Sequence, residues 1–220
     1  MSGLLTKDWL LMRSQRVILL MFCLCGVIMS VSFDQFAGIS YLVILGTMIS
    51  VSTISYDEMN HGIGYLLTLP ISRRTYVREK YLFSCIGSLC CLDIGMVISS
   101  VITLRPGSNA TFDMTDFAMT AIMSIAVACV YMSVILPIRI RFDVEKSRFV
   151  QMIVFGVFLG LTLGITKLGS FIGEDKASAV RETVSRIGDL KLGLLCLAVG
   201  IVMLFISEKI SEKIIAKKEY

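Results

Sequence analysis

Charged residues are scarce in this chain of 220 residues, at 17%, whereas hydrophobic residues make up 55%. A soluble domain carries about 25% charged and about 45–50% apolar residues. The chain therefore has too few charges to cover a water-soluble globule, and its apolar content excludes intrinsic disorder. Three prolines and one histidine, His61, are present. These low counts exclude proline-rich linkers and any metal site built from several histidines.

Sequence motifs of catalysis are also missing. The chain contains no G-x-x-x-x-G-K-[ST] segment for a nucleotide and no G-x-S-x-G segment, and one histidine cannot supply H-E-x-x-H. The seven cysteines all lie within apolar stretches, which indicates small apolar residues in helices rather than a disulfide framework. We expect the chain itself not to be an enzyme and to carry no cofactor or metal.

Long apolar stretches dominate what is present, and a helix needs about 20 such residues to cross a membrane. None of the stretches alternates as the strands of a membrane β-barrel do. We therefore predict an all-α integral membrane protein with six transmembrane helices. The predicted spans are residues 17–33, 36–56, 81–104, 117–138, 149–166 and 192–207.

The placement of lysine and arginine predicts the orientation, because basic residues accumulate in cytoplasmic segments. Of the 21 basic residues, 15 lie on the side of the two termini and 6 on the other side. We therefore expect both termini in the cytoplasm, with an N-terminal segment at 1–16, a membrane domain at 17–207 and a tail at 208–220. The net charge of +4 reflects this placement and does not indicate nucleic-acid binding.

The connection at 57–80 is the longest one on the cytoplasmic side. Its apolar residues follow the spacing of one helix face, while Pro70 ends the helix and Ser72 can cap the next one. The short helix either lies on the membrane or on its own bundle, or it docks a cytoplasmic partner. The residues of the apolar stripe are Met59, Ile63, Leu66 and Leu67.

Asp93 is the one acidic residue predicted deep in a span, about 18 Å from Tyr81 at 1.5 Å per residue. An ionised aspartate at that depth costs roughly 2.5–3.5 kcal/mol on insertion scales. Three interpretations stay open: a hydrogen-bonded aspartate that joins helices, a group in a water-lined pathway, or a proton-coupling site.

Two stretches resemble the ABC-2 type permeases, in particular the small six-helix bacterial subfamily whose permease and ATPase are separate chains. The first runs from Ser55-Tyr-Asp-Glu58 to Leu69-Pro-Ile-Ser-Arg-Arg-Thr-Tyr-Val77 and Lys80-Tyr81. The second combines Pro137 and Phe142 with Glu145-Lys146 and Arg148-Phe149. The sequence departs from the family pattern at Gly62-Ile-Gly-Tyr65 and at Asp143.

The resemblance implies a type V exporter-like fold, with an amphipathic elbow helix at about 2–16 and a coupling helix at about 57–69. It also implies two cytoplasmic ATPases that carry ATP and Mg²⁺, and a second permease as homodimer or heterodimer in a bacterial cytoplasmic membrane. Some close relatives export amphipathic or antimicrobial peptides. The residues expected to couple to the ATPase are Glu58, Met59, Ile63, Tyr65, Leu66, Leu67 and Arg73, with Glu145 and Lys146 at a second contact.

We therefore expect the permease subunit of an ATP-binding cassette exporter that moves an amphipathic peptide or a similar amphiphile. One alternative is a proton-coupled secondary transporter that uses Asp93. Another is a membrane anchor or immunity subunit that transports nothing.

Overall fold

The computed structural model describes residues 2–32, 35–59, 72–104, 114–142, 146–147, 149–153, 156 and 189–217; apart from single residues at helix ends, these residues are helical, and none of them forms a strand. Apolar side chains and intrahelical hydrogen bonds account for this, because a chain in lipid must satisfy its backbone polar groups internally. Within the described residues the long helices are α1 (Ser2–Ser14), α2 (Arg16–Ser32), α3 (Gln35–Met59), α4 (Arg73–Thr103), α5 (Met114–Arg141) and α6 (Asp189–Lys217).

Among the described residues, α3 to α6 are each long and apolar enough to cross a membrane. Helices α1 and α2 reach that length only together, and they are bent by 69° at the break around Gln15. The chain is thus a multi-pass membrane protein with four or five candidate spans. The predicted fifth span, 149–166, lies mostly outside the described residues, although 149–153 and 156 are helical.

Helices α4 and α6 are longer than the apolar stretches that predict them. They contain 31 and 29 residues, which corresponds to about 46 and 43 Å at 1.5 Å per residue. A hydrocarbon core is about 30 Å thick, so both helices extend beyond it. The predicted N-cap of α4 is confirmed: Ser72 Oγ accepts a hydrogen bond from the Thr75 backbone N at 3.1 Å.

Helix α3 lies at the centre of the described bundle. It packs against α2, α4 and α5, while α6 packs mainly against α5 and also against α4. In its most apolar stretch, 61% of the α3 residues are buried, compared with 17% in α6. The core consists of aliphatic, aromatic and methionine side chains from four helices, among them Val51, Ile54, Tyr76, Val77, Met132, Ile135, Leu136 and Ile215.

Small residues bring α3 and α4 into close contact. A Cβ atom added at Gly46 would lie 2.7 Å from Cys91 Cβ and 3.3 Å from the Gly87 carbonyl oxygen. A Cβ atom at Gly87 would lie 3.2 Å from Ser50 Cβ. Close backbone approach of this kind holds helices together in lipid, where the hydrophobic effect does not.

Gly87→Leu is expected to force α3 and α4 apart and to destabilise the protein by about 1–3 kcal/mol, the usual cost of overpacking. The measurement is the melting temperature in mild detergent, obtained from the amount of intact protein that size-exclusion chromatography recovers after heating. Gly3→Leu is the matched control, because nothing lies within 4 Å of a Cβ atom added at Gly3. Equal melting temperatures for the two variants would contradict the packing argument.

Candidate functional site in a buried charge network

The predicted coupling residues are only partly within the described structure. Glu58 and Met59 form the end of α3, and Arg73 begins α4. Lys146 is exposed on a short helical stretch after α5. The remaining predicted coupling residues lie outside the described residues: Ile63, Tyr65, Leu66, Leu67 and Glu145.

The described structure places a buried charge network where α3 ends and α4 begins, directly beside these coupling residues. At its centre, Lys80 Nζ of α4 contacts Asp8 Oδ2 of α1 and lies 2.9 Å from Asp57 Oδ2 of α3. The Lys80 side chain is 1% exposed and that of Asp8 is 0% exposed. Buried charges of this kind persist only when they are paired.

Further polar groups complete the network around Asp57. Lys7 Nζ donates to Asp57 Oδ1, and the Tyr76 hydroxyl donates to Asp57 Oδ2 at 3.1 Å. The Tyr76 ring also lies 5.4 Å from Lys80 Nζ, within cation–π range. Thr53 Oγ1 accepts from Lys80 Nζ at 3.3 Å. We define the buried charge network as Lys7, Asp8, Thr53, Asp57, Tyr76, Glu79 and Lys80.

Helical spacing explains how the network forms. Residues four positions apart share one helix face, so Thr53 and Asp57 point together from α3, and Tyr76 and Lys80 point together from α4. The 69° break between α1 and α2 allows α1 to lie across both helices instead of continuing along the α2 axis. The network therefore fixes both ends of the connection between α3 and α4 and attaches α1 to them.

A second set of polar contacts joins the start of α4 to the end of α6. The Tyr81 hydroxyl lies 2.6 Å from Ser207 Oγ and 2.8 Å from Ser211 Oγ. Arg78 Nε lies 3.3 Å from Glu208 Oε1 and 3.1 Å from Glu212 Oε1. These contacts hold the extended part of α6 against α4.

Arg73, a predicted coupling residue, takes part in this attachment. Its guanidinium donates to the backbone carbonyl oxygens of Ile215 at 3.1 Å and Ala216 at 3.2 Å. Carbonyl groups at a helix C-terminus lack intrahelical partners and carry partial negative charge, so they favour a cation. Arg73 therefore also holds the end of α6 beside the first residue of α4.

Arg139 connects the end of α5 to two other elements. It donates to Ser55 Oγ of α3 and to Gln151 Oε1, the latter at 2.6 Å. Gln151 in turn donates to the Tyr131 hydroxyl at 3.0 Å. The start of the predicted fifth span is thereby attached to α5 beside α3.

Asp93 lies on the exposed face of α4. Exposed apolar side chains surround it along this face, among them Leu82, Ile86, Leu89, Val97 and Val101. In the described structure Asp93 therefore does not lie between packed helices. An aspartate that joins helices, or one that belongs to a polar pathway, needs a neighbouring polar group. For Asp93 such a group would have to come from outside the described residues.

Sequence reasoning missed the network, although the signals were present. Asp8 interrupts the apolar face of the N-terminal segment, and the structure shows that it is the buried partner of Lys80. Asp57, Tyr76, Lys80 and Tyr81 all occur in the first motif of the family resemblance. In the structure these motif residues make buried contacts within the chain.

Metal binding has no candidate site in the described parts of the chain, where no group of three or more suitable side chains occurs.

Over residues 3–216 the chain matches the family described as "ABC-2 family transporter protein". No curated protein and no solved structure matches it.

Proposed function

Because the chain belongs to the ABC-2 transporter family, we propose that it is the permease subunit of an ATP-driven exporter. The partners are two copies of a separate cytoplasmic ATPase, which bind ATP and Mg²⁺, and a second permease as homodimer or heterodimer. The observation that supports this most is the buried charge network. It joins the two helices that flank the predicted coupling segment to the N-terminal helix.

The network suggests how a movement of the ATPase reaches the membrane helices. The Tyr76–Asp57 hydrogen bond of 3.1 Å holds the two ends of the coupling segment together, so both ends move as one unit. The contacts of Lys80 and Lys7 with Asp8 and Asp57 attach α1 to that unit. A push on the coupling segment is therefore transmitted to α3, α4 and α1, and through the bend at Gln15 to α2.

The proposed cargo is an amphipathic or antimicrobial peptide, or a similar amphiphile, and the proposed location is a bacterial cytoplasmic membrane with both termini inside. Large apolar side chains are exposed along α2, α4 and α6. Such surfaces suit contact with lipid, with a second permease and with an amphiphile that enters from the membrane. A transport path between two permeases also fits the small number of helices in one chain.

The test is purification of the tagged full-length chain from its native membranes in mild detergent, followed by mass spectrometry. We expect a stoichiometric ABC ATPase, and a second six-helix chain beside it would indicate a heterodimer. Absence of an ATPase even with a non-hydrolysable ATP analogue would contradict the proposal. An ATPase whose activity no amphipathic peptide stimulates would favour the anchor alternative.

A proton-coupled transporter is the other alternative. It predicts transport that needs no ATP and that Asp93→Asn abolishes. The exposed position of Asp93 among apolar side chains provides no polar pathway in the described structure. The exporter proposal therefore accounts for more of the observed contacts.

A further inference from the structure

Glu79 is a buried ionisable residue of the charge network that plays no part in the proposed transmission of movement from the ATPase. Its side chain is 1% exposed, and neither carboxylate oxygen accepts a hydrogen bond from a described residue. The Oδ1 atom of Asp8 is in the same situation; Lys7 Nζ lies 3.3 Å from it without hydrogen-bond geometry. Native proteins leave few buried polar atoms unsatisfied, and each such atom calls for an explanation.

The charges of the network do not balance. Lys7 and Lys80 supply two positive charges, whereas Asp8, Asp57 and Glu79 supply three negative charges when all are ionised, which leaves one excess negative charge. Lys80 Nζ lies 4.0 Å from Glu79 Oε2, but its close contacts are with the two aspartates. An uncompensated charge at a site this buried is costly.

We propose that Asp8 and Glu79 form a proton-binding site, with one proton held on the Glu79 carboxyl group. Lys80 Nζ lies 4.0 Å from Glu79 Oε2 and contacts Asp8 Oδ2, so the two carboxyl groups are neighbours around one ammonium group. In the proposed arrangement the Glu79 O–H donates to Asp8 Oδ1, which otherwise has no donor among the described residues. One proton therefore removes the excess charge and gives Asp8 Oδ1 a donor. Two carboxyl groups that share a buried site do not both ionise readily.

A proton fits this site better than a metal cation. The charged groups that act on Glu79 are Lys7 and Asp8 from α1 and Lys80 from its own helix, and Asp57 of α3 shares both lysines. The Lys80 ammonium already occupies the centre between the carboxylates and repels a second cation. A proton adds no volume and brings its own hydrogen bond.

The position of the pair links proton binding to the N-terminal helix. Asp8 belongs to α1 and Glu79 to α4, so the shared proton depends on contact between these two helices. Separation of α1 from α4 exposes both carboxyl groups to water and releases the proton. The site thus holds its proton only while α1 is docked.

Infrared spectroscopy of the purified full-length chain tests the proposal, because a protonated carboxylic acid has a C=O stretching band that carboxylates lack. At about pH 6, exposed glutamates are still ionised. We expect a protonated-acid band equivalent to one group per chain that shifts when glutamate is labelled with ¹³C. Labelled aspartate should leave that band in place, which separates Glu79 from Asp93. This measurement uses the unaltered protein.

Glu79→Gln is the matched variant, since its amide can still donate to Asp8 Oδ1. We expect the glutamate-sensitive band to disappear in this variant and to remain in Glu208→Gln. Absence of the band in the unaltered protein, or its survival in Glu79→Gln, would overturn the proposal. Carboxylate bands that change when Na⁺ and K⁺ are replaced by choline would overturn it too, in favour of a metal cation.

Discussion

Lys80→Met is expected to destabilise the protein by about 3–5 kcal/mol, the usual cost of removing one partner from a buried ion pair. Methionine has a similar length but no charge, so Asp8 and Asp57 lose the ammonium that contacts both of them. Lys7, at 31% side-chain exposure, remains as the nearest cation. The measurement is the free energy of unfolding in mild detergent or bicelles.

Two further variants separate the buried network from the general effect of losing a charge. Arg78→Gln also removes a cation near the start of α4, but the Arg78 side chain is 50% exposed, so a much smaller loss is expected. Asp8→Asn combined with Lys80→Met removes charges of both signs and should recover part of the lost stability. A Lys80→Met variant as stable as Arg78→Gln would show that the network does not stabilise the fold.

Leu66→Asp combined with Leu67→Asp is expected to weaken ATPase association by about 100-fold or more. Burial of each leucine in a groove of the partner contributes roughly 1.5–3 kcal/mol, and about 1.4 kcal/mol corresponds to a tenfold change in affinity. The measurement is recovery of the ATPase with the tagged permease from detergent, with membrane insertion checked in parallel. The variant should insert normally, because this segment is predicted to lie outside the membrane.

Thr68→Asp is the matched control for this double substitution. On a helix it adds one negative charge to the same segment, compared with two in the double variant, and places it opposite the apolar stripe of Met59, Ile63, Leu66 and Leu67. We expect it to leave ATPase association intact. If the double variant also retains the ATPase, the docking role of the stripe is wrong, and a helix on the membrane or on the bundle is the remaining interpretation.

The membrane location and the helical class were predictable from composition. A stretch of about 20 apolar residues that must satisfy its own backbone in lipid forms a helix whatever its neighbours are. For this reason the first predicted span, 17–33, corresponds closely to α2. The extended ends of α4 and α6 were not predictable from apolarity, because their charged residues resemble those of a solvated connection.

The pairing of the charges is a different matter. In the sequence, Lys80 follows Arg73, Arg74 and Arg78 and resembles one more basic residue of an orientation signal, while Asp8 simply interrupts the apolar face of the N-terminal segment. Their side chains meet across 72 positions of sequence. Only the bend at Gln15 and the close packing of α3 on α4 bring them together.

In the candidate site, too, some features follow from local sequence and others depend on tertiary packing. The apolar stripe of the coupling segment follows from local spacing, and the family resemblance supplies its proposed partner. Which faces of three separate helices pack together decides that Asp57, Tyr76 and Lys80 contact one another and that Glu79 is buried. By itself the sequence determined a multi-pass helical protein, since lipid imposes helices on apolar stretches, and its two motifs indicated the ABC-2 family. Only the tertiary structure decided which charged residues are buried as partners, because such pairing depends on long-range packing.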